Sequence, residues 1–193
     1  KELTETYAKL DSRIRLLQKQ NGGLSSARNF GIKNSRGKRL IFLDADDFFF
    51  PNALQEIALK TKQYNDHTLI QYGYAYVTED KNQILHTTLP KKHLNLIRPV
   101  FSAVPGPCHT ICISRNLVDI VGDFDTSLKS LEDWDFWLRA AKAGATQEVI
   151  SLPLAYYRYV KNSMSRNPFV MFKSFKMVAD RAPLKDVRIK AEV

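Results

Sequence analysis

A run of large apolar residues that stops at three carboxylates constrains this chain more than any other feature. Residues 40–51 read Leu-Ile-Phe-Leu-Asp-Ala-Asp-Asp-Phe-Phe-Phe-Pro, which places Asp44, Asp46 and Asp47 within four positions. The apolar run is typical of a buried strand, and ligands of open α/β sheets bind beyond the C-terminal ends of such strands. Three acidic groups so close raise one another's pKa and destabilise the fold unless a positive partner offsets them. A divalent cation that prefers oxygen ligands, Mg2+ or Mn2+, is the simplest such partner.

The acidic cluster also has a purely structural interpretation. In a loop between a strand and a helix, Asp side chains commonly accept hydrogen bonds from nearby backbone N–H groups. Such bonding accounts for one carboxylate or two, but hardly for three within four positions. The sequence therefore favours a cation site together with the phosphate groups that the cation would hold.

Strand-like and helix-like segments alternate along the chain, which predicts an α/β sandwich with a mostly parallel central sheet. The predicted strands are 14–18, 39–44, 68–78, 83–88, 111–113 and one or two strands within 148–159. The predicted helices are 2–12, 25–35, 51–64, 115–121, 131–144 and a helical tail that begins near residue 168. Residues 89–107 contain four prolines and are predicted to form an irregular connection.

Composition narrows the class of protein. The 193 residues, 44% hydrophobic and 25% charged, suit one globular domain with an appendage. No segment approaches the roughly 18 apolar residues of a membrane span. Cys108 and Cys112 cannot build a disulfide framework, and they lack a second ligand pair for zinc. We therefore expect a protein of a reducing, cytoplasmic compartment.

The net charge of +9 is uneven. Residues 157–193 contain nine Lys or Arg against three Asp or Glu, so this tail supplies +6 of the total. Such a segment suits anionic lipid, nucleic acid or an anionic sugar nucleotide, and it equally suits a solvated basic surface. Phe169, Phe172 and Phe175 recur at every third position beside two lysines. This pattern fits a membrane-surface helix or packing against the domain, and packing is slightly favoured.

Residues 130–139 read Ser-Leu-Glu-Asp-Trp-Asp-Phe-Trp-Leu-Arg and place several carboxylates beside aromatic residues. Ser130 and Asp133 have the spacing of a capping box, and acidic residues are favourable at a helix N-terminus. Asp135 and Arg139 form a natural i,i+4 ion pair. Taken alone, the segment is therefore a well-formed helix start, and a functional role needs support from other motifs.

Two further segments carry weaker signals. Residues 21–31 place two glycines before Ser and Ala at a helix start, which suits a phosphate, a nucleobase or an ordinary turn, and Arg28 is placed to reach an anion. Residues 156–166 interleave aromatic and basic side chains. That pattern fits a sugar nucleotide or an exposed nucleic-acid base, and it fits ordinary strand alternation equally well.

Taken together and in this order, these segments resemble the inverting glycosyltransferases of family 2, which have a GT-A fold. The resemblance extends from residue 14 to residue 166 and rests on several motifs in the family's order and spacing. The matching segments are the Asn-x-Gly-x-Ser-x-Ala-Arg-Asn-x-Gly pattern at 21–31, Gly37 through Asp47, Pro51, Gly122-Asp123-Phe124-Asp125, Glu132-Asp133-Trp134-Asp135 with Arg139, and Tyr157-Arg158.

The resemblance implies a nucleotide-sugar donor, usually a UDP-sugar, and a bound Mn2+ or Mg2+ ion. It assigns the Asp-x-Asp element, Asp44-Ala45-Asp46, to the ribose and diphosphate of the donor, with Asp44 and Asp46 as metal ligands. Asp47 adjoins this element. Arg28 and Arg158 match residues that bind the nucleotide sugar.

For the reaction, the resemblance implies transfer of the sugar to an acceptor hydroxyl with inversion of configuration. Asp133 matches the proposed catalytic base, and Glu132 is its neighbour near the acceptor. The implied acceptors are carbohydrates or lipid-linked molecules, as in cell-wall or polysaccharide biosynthesis. His109 and residues 89–107 fall where acceptor contacts are expected. Peripheral membrane contact through the basic tail stays one of the two alternatives for that segment.

One departure from the family pattern affects the expected domain. Family members open with a strand carrying Pro-x-Tyr/Phe-Asn and a second strand ending in Asp-Asp-Gly-Ser, which holds the nucleobase, and neither motif occurs here. We therefore expect a catalytic domain over residues 1–166 without its N-terminal strands, followed by a basic helical tail over 167–193. A non-catalytic fragment of the same fold is one alternative function. A nucleic-acid-binding module is the other, but the acidic cluster would repel phosphate without a metal, so nucleic acid is not an expected partner.

Overall fold

The computed structural model describes residues 2–96, 105–161 and 163–181, which form helices on both faces of a six-stranded sheet. The helices are α1 (Glu2–Leu10), α2 (Gly23–Asn34), α3 (Ala53–Thr61), α4 (Arg115–Val121), α5 (Glu132–Lys142) and α6 (Pro168–Arg181). The strands are β1 (Arg39–Ile41), β2 (Phe48–Phe49), β3 (Thr68–Val77), β4 (Ile84–Thr88), β5 (Ile111–Ser114) and β6 (Thr146–Arg158). Short 3-10 helices occupy Cys108–Thr110 and Met164–Arg166.

The sheet has the strand order β1-β5-β3-β6-β2, and β4 pairs with the C-terminal part of β3. The predicted α/β class is confirmed, but the described sheet is mixed rather than mostly parallel. Only β3 and β6 pair in parallel, whereas the other four strand pairs are antiparallel. Parallel neighbours need a crossover connection, and β5 follows the β3–β4 hairpin with no crossover helix among the described residues.

Successive residues of the central strands point to opposite faces, so the sheet contributes to two separate cores. On β5, Ile111 and Ile113 belong to one core and Cys112 to the other, and on β3 Leu69 and Ile70 divide in the same way. The larger core lies between the sheet and α2, α4, α5 and α6. The smaller core lies between the opposite face and α3. Both faces of the sheet are therefore covered by helices.

Residues 14–18, predicted as a strand, form neither helix nor strand. A strand is stabilised by backbone hydrogen bonds to a neighbour, and none of the described strands pairs with this segment. The segment is instead attached to α2, because the Arg15 guanidinium donates to the carbonyl of Asn34 at 2.7 Å. The prediction of a strand here was wrong for the described chain.

β6 is one strand of 13 residues, and Tyr157-Arg158 of the family motif form its C-terminal end. It continues past Pro153, which lies opposite Gly73 where the register with β3 shifts. Pro cannot donate to a strand ladder, so an irregularity is expected at that point. A side chain at Gly73 would not fit, because a Cβ there would lie 2.6 Å from the carbonyl oxygen of Thr88.

Helix α6, the described part of the predicted tail, packs on the larger core. Val178 is buried in that core, and the ring of Phe175 stacks on Trp134 at 5.4 Å between centroids. Phe169 and Phe172 face away and are 86% and 70% exposed. Phe175 is also 50% exposed, because only one face of its ring lies on Trp134. The buried residues of α6 are Ser174 and Val178. None of the described helices is long and apolar enough to cross a bilayer.

Candidate active site

Three elements bring opposite charges together beyond the end of β1. Arg28 of α2 is buried, and its guanidinium donates to Glu132 Oε1 at 2.5 Å and to Asp44 Oδ1 at 2.9 Å. These partners lie 104 and 16 residues away in sequence. A buried guanidinium is tolerated only with paired acceptors, so Arg28 fixes the first residue of α5 against the loop after β1. Among the described residues, the sequence candidates Arg28, Asp44 and Glu132 thus share one cluster.

Asp133 belongs to the same cluster and has an unusual acidity. Burial and the neighbouring charge of Glu132 raise the pKa of its carboxyl to about 6, against opposing effects of Arg28 and of the Trp134 N–H. That N–H donates to Asp133 Oδ1 at 2.8 Å. A carboxylate with this pKa is charged at neutral pH and still basic enough to accept a proton from a reacting hydroxyl.

The start of α5 differs from the predicted capping box. Helix α5 begins at Glu132, and Leu131 before it has a left-handed backbone with φ 58°. Ser130 does not cap the helix; its hydroxyl donates to the carbonyl of Val170 at 3.3 Å. A non-glycine residue in the left-handed region is uncommon and is found preferentially at functional sites. Here it turns the chain immediately before Glu132 and Asp133.

A second group, Asp47 with His109, lies against Asp44. Asp47 Oδ1 accepts the N–H of Arg158 at 2.8 Å, and Asp47 Oδ2 lies 3.0 Å from Nδ1 of the fully buried His109. The Asp47–His109 contact is close but is not aligned as a hydrogen bond. Within the described residues, neither ring nitrogen of His109 has a hydrogen-bond partner. Unpartnered buried polar atoms next to a carboxylate cluster are typical of a site that takes a ligand.

These residues fit a divalent cation. Asp44, Asp47 and His109 each place one ligand atom within 4.8 Å of the others. Two carboxylate oxygens with one imidazole nitrogen suit Mn2+ better than Mg2+, which prefers oxygen alone. Asp46, a ligand assigned by the sequence motif, is exposed and lies outside this group. The role of Asp46 as a ligand therefore stays a prediction.

The remaining predicted site residues lie around this centre. Ala45 is exposed in the turn between Asp44 and Asp46. Arg158, at the end of β6, holds Asp47 through its backbone, while its side-chain Nε is buried without a hydrogen-bond partner among the described residues. The glycine-rich loop is a local turn, in which Asn21 Oδ1 accepts the N–H of Gly23 at 3.0 Å and Gly23 adopts φ 84°.

Sequence reasoning included Asp47 in the predicted cation site but missed His109 as a ligand beside it. The two residues are 62 positions apart, and His109 stands in a proline-rich stretch without a recognisable metal spacing. Only the pairing of β5 beside β1 and β3 brings the 3-10 helix before β5 under the loop that carries Asp47. The available sequence signal for His109 as a ligand was its position just before β5, a strand with a buried, apolar pattern.

Comparison with known proteins identifies the family. Residues 1–120 match the sequence profile of Glycosyl transferase family 2. The chain belongs to this family. It is 33% identical over 147 residues to an uncharacterised glycosyltransferase of Rickettsia prowazekii, RP339, covering 72% of this chain and 46% of that protein. It is 29% identical over 178 residues to the uncharacterised glycosyltransferase EpsJ of Bacillus subtilis, covering 87% of this chain and 51% of that protein.

Solved structures agree on the fold of this family 2 member. The crystal structure of Staphylococcus aureus TarS 1–349 in complex with UDP-GlcNAc superposes with a TM-score of 0.68 at 20% identity, covering 93% of this chain and 52% of TarS 1–349. A second crystal structure, of the same TarS region with UDP, gives a TM-score of 0.64. The fold is therefore GT-A, and the chain spans about half the length of the proteins it resembles.

Proposed function

We propose that this protein transfers a sugar from a UDP-sugar to an acceptor hydroxyl with inversion of configuration, assisted by Mn2+ or Mg2+. The observation that carries the proposal is the position of Asp133. Its carboxyl, with a pKa of about 6, lies in the charged cluster that also contains Asp44 of the Asp-x-Asp element. Membership of glycosyltransferase family 2 and the UDP-sugar bound by TarS support the same donor class.

In the proposed reaction, the acceptor hydroxyl attacks the anomeric carbon on the face opposite the diphosphate. Asp133 takes the hydroxyl proton while the new C–O bond forms and the bond to the diphosphate oxygen breaks. An alcohol is a weak nucleophile at neutral pH, so a positioned base is needed. Because attack and departure occur on opposite faces in one displacement, the product has inverted configuration.

The other candidates position these groups. Glu132 is held by Arg28, and this pair orients the start of α5 so that Asp133 is presented toward the donor. Asp44, with Asp46 from the sequence motif or Asp47 and His109 from the geometry, would hold the cation. When bound, the cation supplies positive charge to the diphosphate oxygens. Arg158 lies beside Asp47 and is a further candidate contact of the nucleotide sugar.

The acceptor is proposed to be a carbohydrate or a lipid-linked molecule, within cell-wall or polysaccharide biosynthesis. The exposed Phe169 and Phe172 with the basic tail support peripheral contact with an anionic membrane from the cytoplasmic side. The catalytic unit would cover residues 1–166, with 167–193 as its basic helical extension.

The proposal is tested by donor binding and turnover. Isothermal titration with UDP and MnCl2 is expected to show binding, and a screen of UDP-, GDP- and dTDP-sugars is expected to show hydrolysis with a UDP-sugar only. Asp133→Asn should abolish most turnover yet retain UDP binding, because the base is lost and the donor contacts remain.

Asp119→Asn on the exposed side of α4 is the matched control and should leave both measurements unchanged. Near-normal turnover of Asp133→Asn would remove Asp133 from the role of base. UDP binding without turnover of any donor would instead indicate a non-catalytic member of the family. Failure to bind UDP with Mn2+ would reject the proposal.

A further inference from the structure

A row of aromatic rings crosses three strands on one face of the sheet. His86 of β4, Tyr76 of β3 and Tyr157 of β6 are direct cross-strand partners. The His86 and Tyr76 rings stack at 5.0 Å between centroids, and Tyr76 meets Tyr157 edge-on at 5.1 Å. Tyr159 directly follows the last residue of β6, and its ring lies 6.1 Å from that of Tyr76. We call these four residues the aromatic row.

The inner end of the aromatic row reaches the candidate active site. The ring of Tyr157 lies 5.7 Å from the ring of His109, which contacts Asp47. Burial raises the pKa of Tyr157, against the opposing effect of a hydrogen bond with Ser165. Tyr156 points to the opposite face of the sheet, where it stacks with Phe48 and Phe50 at 4.3 and 3.9 Å. Strand alternation thus places Tyr157 on the face of the site and Tyr156 on the other face, and the contact with Tyr76 places Tyr159 beside Tyr157.

The outer end of the aromatic row is polar and open. Arg166 lies over the ring of Tyr159 at 3.8 Å and donates to the hydroxyls of Tyr159 and Tyr76 at 2.8 and 3.3 Å. A guanidinium has five N–H donors, so Arg166 keeps donors for a ligand after these two bonds. His86 and Arg166 are exposed, while the tyrosines between them are half-buried. The surface is therefore fixed in place, accessible, and lined with both apolar ring faces and hydrogen-bond donors.

We infer that the aromatic row is the acceptor subsite and binds a carbohydrate. This inference rests on the proposed transferase function. A sugar ring has a face of C–H groups bordered by hydroxyls, which matches aromatic faces bordered by phenol and guanidinium groups. The row leads from the exposed β3–β4 hairpin to His109 and Asp47, so a chain of sugars lying on it directs its terminal hydroxyl toward the candidate active site.

The test measures glycan binding and donor binding separately. Wild type, His86→Ala, Tyr159→Ala and the control Tyr7→Ala are applied to an array of bacterial polysaccharide fragments, and UDP with MnCl2 is titrated by calorimetry. We expect retained glycans in wild type and in Tyr7→Ala, and about three- to tenfold weaker retention for each row variant. UDP affinity should remain within twofold for all four proteins. His86 is exposed, so its variant tests the inference even if Tyr159→Ala unfolds.

Three other results overturn the inference. An absence of retained glycans in a wild-type protein that binds UDP would reject the subsite and leave the proposed function intact. Loss of UDP affinity in His86→Ala would assign the row to the donor. Binding of a single-stranded oligothymidylate that weakens in the row variants, without any glycan, would make the row a nucleobase platform. Glycan binding without UDP binding would support the row while rejecting the proposed transferase.

Discussion

Asp133 combines a functional requirement with a cost to stability. In the folded protein the pKa of its carboxyl is about 6, against an ordinary value of 3.8. As the proposed general base it must be deprotonated, so we expect kcat/KM to rise with pH through a midpoint near pH 6. A pH profile of sugar transfer checks this expectation. A profile that is flat from pH 5 to pH 8 would show that another group accepts the proton.

The same shift predicts how stability depends on pH. Because the folded pKa lies above the unfolded one, the contribution of Asp133 to the free energy of unfolding is fully present below pH 4 and is lost as pH rises through 6. Asp133→Asn removes the cost of holding a charged carboxylate in these surroundings. At pH 7.5 the variant is therefore expected to be up to about 3 kcal/mol more stable, less what solvent screening removes. Urea unfolding at pH 7.5 and at pH 4 measures the difference, which should shrink at the lower pH. Equal destabilisation at both values would contradict the prediction.

At the scale of elements, α2 is fastened to the turn before α5. Asn29 Oδ1 accepts the N–H of Phe124 and Asn29 Nδ2 donates to the carbonyl of Phe124, both at 2.8 Å. The Phe124 ring is buried, stacks on Phe136 at 4.2 Å and lies 5.4 Å from the Arg28 guanidinium. Asn29 of the sequence motif thus links α2, which carries Arg28, to the turn before α5, which carries Glu132 and Asp133.

Asn29→Ala should therefore lower both stability and activity. It removes two hydrogen bonds and leaves the buried N–H of Phe124 without its partner, a cost of about 1–3 kcal/mol. For a chain of this size, the melting temperature is expected to fall by roughly 2–4 °C per kcal/mol. The control is Asn34→Ala, whose side chain bonds only the carbonyl of Phe30 within α2 and should have little effect. A similar loss in both variants would mean that the two hydrogen bonds between Asn29 and Phe124 are not responsible, because alanine favours a helix at either position.

For the whole molecule, charge and exposed apolar surface coincide on α6. Its buried side holds Val178, whereas Phe169 and Phe172 are turned outward in the basic tail. We expect wild-type protein to co-sediment with phosphatidylglycerol vesicles more than with phosphatidylcholine vesicles, and to be released by salt. The double variant Phe169→Ser/Phe172→Ser should lose most of this binding.

A matched control is available on α1. Leu3 and Leu10 are 70% and 77% exposed, so Leu3→Ser/Leu10→Ser removes similar apolar surface from a helix outside the basic tail. This control should bind vesicles like wild type. If wild-type protein shows no salt-sensitive binding, the membrane contact is rejected and the exposed rings have another role.

Much of the secondary structure was predictable because hydrophobic periodicity and turn residues determine where helices and strands begin and end. The paired strands β3 and β4, helix α4 and the start of α6 were placed from periodicity and turn residues, within a few positions of their bounds in the structure. The predicted strand at 14–18 failed because a strand depends on a neighbour that local sequence does not describe. The mixed sheet was missed for a related reason, since strand direction depends on how a connection returns to the sheet.

The sequence by itself determined the family, the α/β class and the identity of most charged groups at the site, because motif residues and their spacing are properties of the chain. Only the tertiary structure decided that Arg28 joins Asp44 to Glu132, that the surroundings of Asp133 raise its pKa to about 6, and that His109 lies against Asp47. It also decided which tyrosines share a face with the site. Burial, electrostatic coupling and contacts between distant residues depend on how the elements pack, and no local pattern contains that information.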